Sequence, residues 1–127
     1  MGSAHLQALA APEPDALAGW APSERRREAA ESVGAVFFHG PLAAALDAFQ
    51  PTHVVVASPV ETLTPISLQL IASGVRNLLV EKPSALTLSE GAELVDAVNA
   101  SGAQLYVGYN RRFYASIRTA LGLVARN

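Results

Sequence analysis

Short apolar runs alternate with segments of helical periodicity along the whole chain. The runs lie at residues 16–20, 35–38, 53–57, 78–81 and 104–108. This alternation predicts parallel βαβ units with helices on the sheet faces. The uninterrupted Val54-Val55-Val56 suits a strand that is buried on both faces. We therefore expect an α/β fold, an open parallel sheet with helices on both faces.

Start and stop signals delimit the helices between these runs. Thr64 followed by Pro65 has the form of an N-cap and first helical residue. Thr87 and Glu90 have the spacing of a capping box, and Gly102 supplies a left-handed stop. Further helices are predicted at residues 4–11, 23–33 and 41–49 and from about residue 114 onward.

Composition sets the class of protein. The 127 residues are enough for one domain with one core, and 50% hydrophobic against 16% charged residues indicates a packed interior. The net charge of −2 gives no basic surface for nucleic acid or an anionic membrane. The basic run Arg25-Arg26-Arg27 is flanked by Glu24 and Glu28, which is typical of a solvated helix face.

Residue types and apolar runs that the chain lacks exclude several kinds of functional site. The chain has no cysteine, so disulfides, thiolate nucleophiles and thiolate metal sites are excluded. Its three histidines have no metal-ligand spacing, and we predict no metal site. No apolar run approaches the ~18 residues of a membrane span, and no secretion signal is present, so we expect a cytoplasmic protein.

Candidate catalytic groups lie directly after the predicted strands. Because the carboxyl ends of parallel strands meet at one edge of a sheet, Ser58, Lys82, Asn110 and Arg111 should gather there. Pro83 cannot continue a ladder and holds Lys82 at the end of its strand. A lysine in such a cleft can donate to a substrate oxygen, and an arginine can hold a phosphate or carboxylate.

Four sequence blocks within residues 51–116 carry a resemblance to a known family. The segment resembles the N-terminal half of the Gfo/Idh/MocA oxidoreductases, named for glucose-fructose oxidoreductase and inositol dehydrogenase. The blocks are Val54-Val55-Val56-Ala57-Ser58-Pro59, then Leu78-Leu79-Val80-Glu81-Lys82-Pro83, then Leu86-Thr87-Leu88, and finally Val107-Gly108-Tyr109-Asn110-Arg111-Arg112-Phe113.

The resemblance implies a nucleotide-binding Rossmann domain and an oxidoreductase that uses NAD or NADP. Its substrate would be a sugar, a cyclitol or a similar small alcohol, and hydride would pass between the nicotinamide and a hydroxyl or carbonyl carbon. Lys82 would be the catalytic residue. The cofactor would be bound by Gly2, Ala57, Ser58, Pro59, Glu81, Lys82, Asn110 and Arg111.

The chain departs from the family pattern in three places, one of which is Thr62, where many members carry histidine. The family begins with a strand and a Gly-x-Gly-x-x-Gly turn, whereas here only Gly2 and the following His5 match its end. The acidic residue that would bind the adenosine ribose aligns near Ala21, and with Ser23 and Arg25 close by the cofactor could be NADP instead of NAD.

These departures lead us to expect a truncated Rossmann domain over residues 1–127, without its first strand and without a substrate domain. Either the strands at 16–20 and 53–57 pair directly, or two open edges remain and invite another chain, for instance in a homo-oligomer. We expect the chain alone to bind cofactor weakly and to turn over no substrate.

Two alternative hypotheses assign the chain to other classes of protein. One is a non-enzymatic nucleotide-binding or interaction module that pairs with a full-length relative. The other is a receiver-type domain, which is disfavoured because Asp15, Asp47 and Asp96 do not cluster at strand ends.

Overall fold

The computed structural model describes residues 2–124 and confirms the predicted α/β alternation. The strands are β1 (Ala18–Ala21), β2 (Val36–His39), β3 (Val54–Val56), β4 (Asn77–Val80) and β5 (Gln104–Val107). The helices are α1 (Gly2–Ala10), α2 (Arg27–Glu31), α3 (Leu42–Phe49), α4 (Val60–Ala72), α5 (Leu88–Ser101) and α6 (Ala115–Val124). Short 3₁₀ turns at Glu24–Arg26 and Asn110–Phe113 precede α2 and α6.

Every strand pair is parallel, but the strands form two sheets. One sheet pairs β1 with β2, and the other has the order β3-β4-β5. Helix α1 contacts α2, helix α3 contacts β1 and β2, and helix α4 contacts β3, β4 and α5. In open parallel sheets, right-handed crossovers and a reversal of strand order put helices on both faces, as predicted.

The main core lies between the three-stranded sheet and the helices α4 and α5. Val56 and Val80 from the strands meet Leu63 and Leu70 of α4 and Leu94 of α5 in one cluster. The α5 capping box forms as predicted, with Thr87 Oγ1 accepting from the Glu90 amide and Gly102 in the left-handed region.

Two helix starts differ from the sequence prediction. Helix α4 begins at Val60 with Pro59 as its N-cap, so Thr64 and Pro65 lie inside the helix. Thr64 Oγ1 donates instead to the Ser84 carbonyl at 2.9 Å, and this tertiary bond replaces the predicted cap. Ser23 makes no cap hydrogen bond, and the helix after it is interrupted, a 3₁₀ turn followed by α2.

The strands β1 and β3 do not pair, so the first of the two alternatives, direct pairing, is wrong, and each strand keeps one unpaired edge. A cavity of about 740 Å³ lies between them, bounded also by α1, α3 and α4. Val54 and Val55 are consequently only half-buried, which corrects the expectation that this strand is covered on both faces.

Helix α6 extends from the 3₁₀ turn before it with its apolar side chains exposed, among them Leu121 and Leu123. Among residues 2–124, no helix has the length and apolarity that a membrane crossing would require.

Candidate functional site

The carboxyl ends of β3, β4 and β5 lie level with one another. Val56 is in register with Val80, and Val80 with Val107, so the residues that follow share one edge of the sheet. Two backbone bonds continue the ladder there, because the Glu81 amide donates to Val56 and the Gly108 amide donates to Val80. The structure thus brings the three predicted segments to the same edge.

Glu81 is buried at this edge, with 8% of its surface exposed. Its Oε1 lies 2.7 Å from His5 Nε2, and its Oε2 accepts from the Lys82 amide at 3.2 Å. Gly108 packs directly on Glu81, since a methyl group on Gly108 would stand 3.7 Å from the carboxyl carbon. The carboxylate therefore connects α1, β4 and β5 at one point.

Lys82 follows with its side chain exposed. Within the part of the chain that the structure describes, its ammonium forms no ion pair, and the carboxylate of Glu81 is turned toward His5 and the backbone. The Lys82-Pro83 peptide bond is cis. A charged amine without a protein partner is available to a ligand at this edge.

The loop after β3 supplies Ala57, Ser58 and Pro59. Pro59 caps α4, and Ala57 and Ser58 line the cavity beside β3. Ser58 Oγ is buried without a hydrogen-bond partner, and it is the only such side-chain atom in residues 2–124. A buried hydroxyl without a partner costs free energy, so this atom fits a ligand group that hydrogen-bonds to it.

Asn110 and Arg111 lie in the 3₁₀ turn directly after β5, and both are exposed. The Asn110 amide donates to the Gly108 carbonyl, which holds the turn against the end of the strand. The guanidinium of the next residue, Arg112, lies over the Phe113 ring at 5.6 Å from the ring centre, a distance at which cation–π contacts form.

Gly2 begins α1 beside the end of β3, where a methyl group on Gly2 would stand 3.8 Å from the Ala57 carbonyl oxygen. The first turn of α1 contains no acidic residue. Its free amides and the partial positive charge of the helix end face the same edge as Lys82.

Beyond the end of β1, Glu24 contacts two basic side chains. Arg27 Nη2 donates to Glu24 at 3.2 Å, and His39 Nε2 lies 2.9 Å from the same oxygen. The hydrogen bond and charge of Arg27, with a smaller contribution from His39, lower the pKa of the Glu24 carboxyl below its ordinary value of 4.5. Arg25 and Arg26 remain at the cavity.

A protein-family model described as an oxidoreductase family with an NAD-binding Rossmann fold matches residues 1–109. The chain belongs to the Gfo/Idh/MocA oxidoreductase family. The resemblance read from the four sequence blocks is thereby confirmed, as is the Rossmann-like class of the fold.

Solved structures agree with this assignment. GenD2 from gentamicin A biosynthesis, in complex with NAD, is 33% identical with a TM-score of 0.88 over 98% of this chain and 36% of that chain. UDP-N-acetylglucosamine 3-dehydrogenase GnnA from Acidithiobacillus ferrooxidans is 24% identical with a TM-score of 0.82, over 96% and 38%. Myo-inositol 2-dehydrogenase from Lactobacillus plantarum is 19% identical with a TM-score of 0.77, over 87% and 33%.

The chain thus spans about a third of the length of each of these three structures. Because GnnA and the inositol dehydrogenase are only 24% and 19% identical to this chain, the similarity to them supports the fold alone. No curated protein sequence matches the chain significantly.

The residues present fit the nicotinamide dinucleotide of this family in three places. The partnerless Ser58 hydroxyl, the acid-free start of α1 and the unpaired Lys82 ammonium all lie at the edge where such a cofactor binds in this fold. The glycine-rich turn that usually surrounds the pyrophosphate has no counterpart, because only Gly2 remains of that pattern.

Sequence reasoning missed two features of the site. His5 was not among the predicted site residues, although it is the side chain that holds Glu81. Lys82 is also the only lysine of the chain, since the nine basic residues comprise it and eight arginines. That count was available from the sequence and singles out this amine.

Proposed function

We propose that the chain is the NAD(P)-binding part of a dehydrogenase that acts on a sugar or cyclitol hydroxyl, with Lys82 as its catalytic residue. Nicotinamide, when bound, supplies the hydride acceptor or donor. Lys82 holds the reacting oxygen by a charge-assisted hydrogen bond and carries the proton that leaves or returns to it. The observation that carries the proposal is the unpaired ammonium beside the buried Glu81 at the common end of three parallel strands.

The remaining residues are assigned by position. The backbone of Ala57, Ser58 and Pro59 lines the cofactor, and Glu81 fixes the strand end that bears Lys82. Asn110 and Arg111 face the ligand from β5. Gly2 allows the pyrophosphate to approach the start of α1, and the helix end offsets part of its charge.

The site proposed for the adenosine end of the cofactor accepts NADP as well as NAD. No carboxylate stands at Ala21 to bind the ribose hydroxyls, and the nearby Glu24 is engaged by Arg27 and His39. Ser23, Arg25 and Arg26 lie at the same place, and arginines bind a 2′-phosphate by charge-assisted hydrogen bonds. We expect NADPH to bind at least as tightly as NADH.

Because Lys82 is the only lysine, its amine provides a site-specific reporter. Reductive methylation with ¹³C-formaldehyde keeps the charge and gives one side-chain NMR signal, distinguishable from the N-terminal amine by its loss in Lys82→Arg. We expect NADH or NADPH to shift this signal, and ADP, which lacks nicotinamide, to leave it unchanged. A signal that moves equally with ADP, or with neither cofactor, would contradict the assignment.

Catalysis requires side chains in addition to those at the carboxyl ends of β3, β4 and β5. In our proposal the substrate is enclosed by a further domain, so the isolated chain binds cofactor weakly and gives no turnover with sugars or cyclitols. Steady NADH production by the purified 127-residue chain would show that this part of the proposal is wrong.

The second candidate function is a non-enzymatic module that pairs with a full-length relative. The open edges of β1 and β3 favour it. Light scattering during size exclusion separates the two candidates, because a dimer of constant mass with and without cofactor supports the module and a cofactor-binding monomer supports the dehydrogenase.

A further inference from the structure

The carboxylate of Glu81 connects the end of β4 to a distant part of the chain. Its Oε1 lies 2.7 Å from Nε2 of His5, which belongs to α1, and its Oε2 accepts from the Lys82 amide at 3.2 Å. His5 and Glu81 are 76 positions apart in the sequence. One buried side chain therefore carries a continuous path of hydrogen bonds from α1 to the backbone of the proposed catalytic residue.

The surroundings of this carboxylate restrict its orientation. Glu81 is buried, and Gly108 packs on its carboxyl carbon. The Gly108 amide also donates to the Val80 carbonyl at 2.8 Å, which holds β5 against this point. Among the basic side chains of residues 2–124, His5 alone forms an ion pair with Glu81. Because a buried carboxylate without a partner is costly, the bond to His5 determines how the carboxylate is turned.

The hydrogen positions at this contact follow from the chemistry of the two groups. A carboxylate only accepts hydrogen bonds, so Nε2 of His5 must carry a hydrogen. The neutral Nε2–H tautomer and the imidazolium both meet this requirement. The distance of 2.7 Å is that of a charge-assisted hydrogen bond. With Oε1 of Glu81 held by this bond, Oε2 stays directed at the Lys82 amide.

The segment on the other side of Lys82 is anchored independently. Thr64 Oγ1 in α4 donates to the Ser84 carbonyl at 2.9 Å. The backbone of Lys82 thus lies between two tethered residues, Glu81 and Ser84, while its side chain is exposed. Loss of the tether at Glu81 frees the backbone on the strand side of Lys82, and the direction of the amine is no longer fixed from that side.

We infer that His5 is a positioning residue for Lys82. It orients the Glu81 carboxylate, the carboxylate holds the Lys82 amide, and this bond fixes the direction in which the ammonium leaves the end of β4. His5 acts through Glu81 and needs no contact with the reacting atoms. This role rests on the proposed function, because positioning matters only where the amine acts on a ligand.

Amide hydrogen exchange in the ¹⁵N-labelled full chain tests the role of His5 without any ligand. In His5→Ala, exchange at the Lys82 amide should become roughly tenfold faster or more, relative to the amide of Leu70 in the core of α4. The ratio is measured because a variant that only destabilises the fold does not accelerate exchange at Lys82 more than at Leu70. His53→Ala, at an exposed histidine, is the control and should leave the ratio unchanged.

Two further substitutions at the same position separate the hydrogen bond from the bulk of the side chain. His5→Gln keeps a side-chain N–H that can donate to Glu81, and it should return the exchange ratio to that of the unsubstituted chain. His5→Leu fills similar space without a donor and should behave like His5→Ala. An unchanged ratio in His5→Ala, or equal ratios in His5→Gln and His5→Leu, overturns the inference.

The ¹³C-methyl signal of Lys82 tests whether the position of the amine changes with cofactor present. At saturating NADH, His5→Ala should lose most of the shift that NADH induces in the unsubstituted chain, and His5→Gln should keep it. The full shift in His5→Ala overturns the inference. No shift in the unsubstituted chain contradicts the proposed function instead, so the two failures are distinguishable.

If the variants without a donor do not fold, the unsubstituted chain still decides. Long-range ¹H–¹⁵N spectra distinguish the tautomers of His5, and we expect a hydrogen on Nε2. A neutral ring with its hydrogen on Nδ1 overturns the inference, because a bare Nε2 cannot donate to Glu81.

Discussion

The two sheets of this molecule are built from the same kind of strand but are packed very differently. Around β3, β4 and β5, large side chains such as Leu63, Leu70 and Val80 are at most 1% exposed. Around β1 and β2, the buried hydrophobic residues within positions 2–41 are the two alanines Ala30 and Ala35. Large side chains there are half-buried or exposed, including Val36 at 54%.

The difference follows from the neighbours of each strand. The central strand β4 has a partner on both sides, helix α4 contacts it, and Leu94 of α5 lies in the same core cluster, so its buried side chains are well packed. The strands β1 and β3 border the cavity instead, and packing contacts toward it are lost. How well a parallel strand is packed therefore depends on the strands and helices around it as well as on its own sequence.

The largest effect should come from removing a core side chain of the three-stranded half. Leu63→Ala should lower the free energy of unfolding by about 2–5 kcal/mol, because the site cannot collapse around the lost methyl groups. Leu6→Ala, in the half-buried interface of α1 with Gly19, should cost about 1 kcal/mol. Urea unfolding monitored by circular dichroism measures both, and equal losses would contradict the contrast between the halves.

The bond between His5 and Glu81 joins the two halves across the edge of the sheet. His5→Ala leaves the buried Glu81 carboxylate without its side-chain partner, and we expect a loss of about 1–3 kcal/mol in the free energy of unfolding. His53→Ala is the control, because His53 is exposed and its one hydrogen bond within residues 2–124 is to the neighbouring Thr52, so the free energy of unfolding should change little. A negligible loss for His5→Ala would mean that the halves are not coupled through this pair.

A smaller difference in stability between the two halves is expected from their helix caps. Thr87→Ala removes a complete capping box in the well-packed half and should cost about 1 kcal/mol. Ser23→Ala, at the corresponding helix start in the other half, should stay within about 0.5 kcal/mol because Ser23 makes no cap bond. Thermal unfolding of both variants checks the pair, and equal effects would show that Ser23 does cap its helix.

The smallest effect concerns how the stability of the two-stranded half depends on pH. Because the folded-state pKa of Glu24 lies below 4.5, this carboxylate stabilises the fold above its ordinary pKa, and the contribution is lost as the pH falls through the folded value. Arg27→Ala should return the pKa toward 4.5, measured by side-chain NMR titration. Arg112→Ala, remote from Glu24, is the control and should leave it unchanged.

The candidate site could be predicted from the sequence to a large extent. Lys82 and the segments around Ser58 and Asn110 follow apolar runs, and parallel topology suffices to bring such positions to one edge. The capping box is also local, because Thr87 and Glu90, three positions apart, define it. The start of α4 was predicted wrongly because Thr64 bonds to Ser84, twenty positions away in the chain, which no local pattern reveals.

The sequence alone determined the five strands, their parallel direction, the order of helices and the position of the only lysine, because these depend on short-range periodicity and on residue type. The tertiary structure decided which strands pair, where the core is dense, and that His5 meets Glu81. Pairing and packing depend on whether two distant segments find complementary neighbours. The unpaired edges of β1 and β3 were therefore decided only in three dimensions.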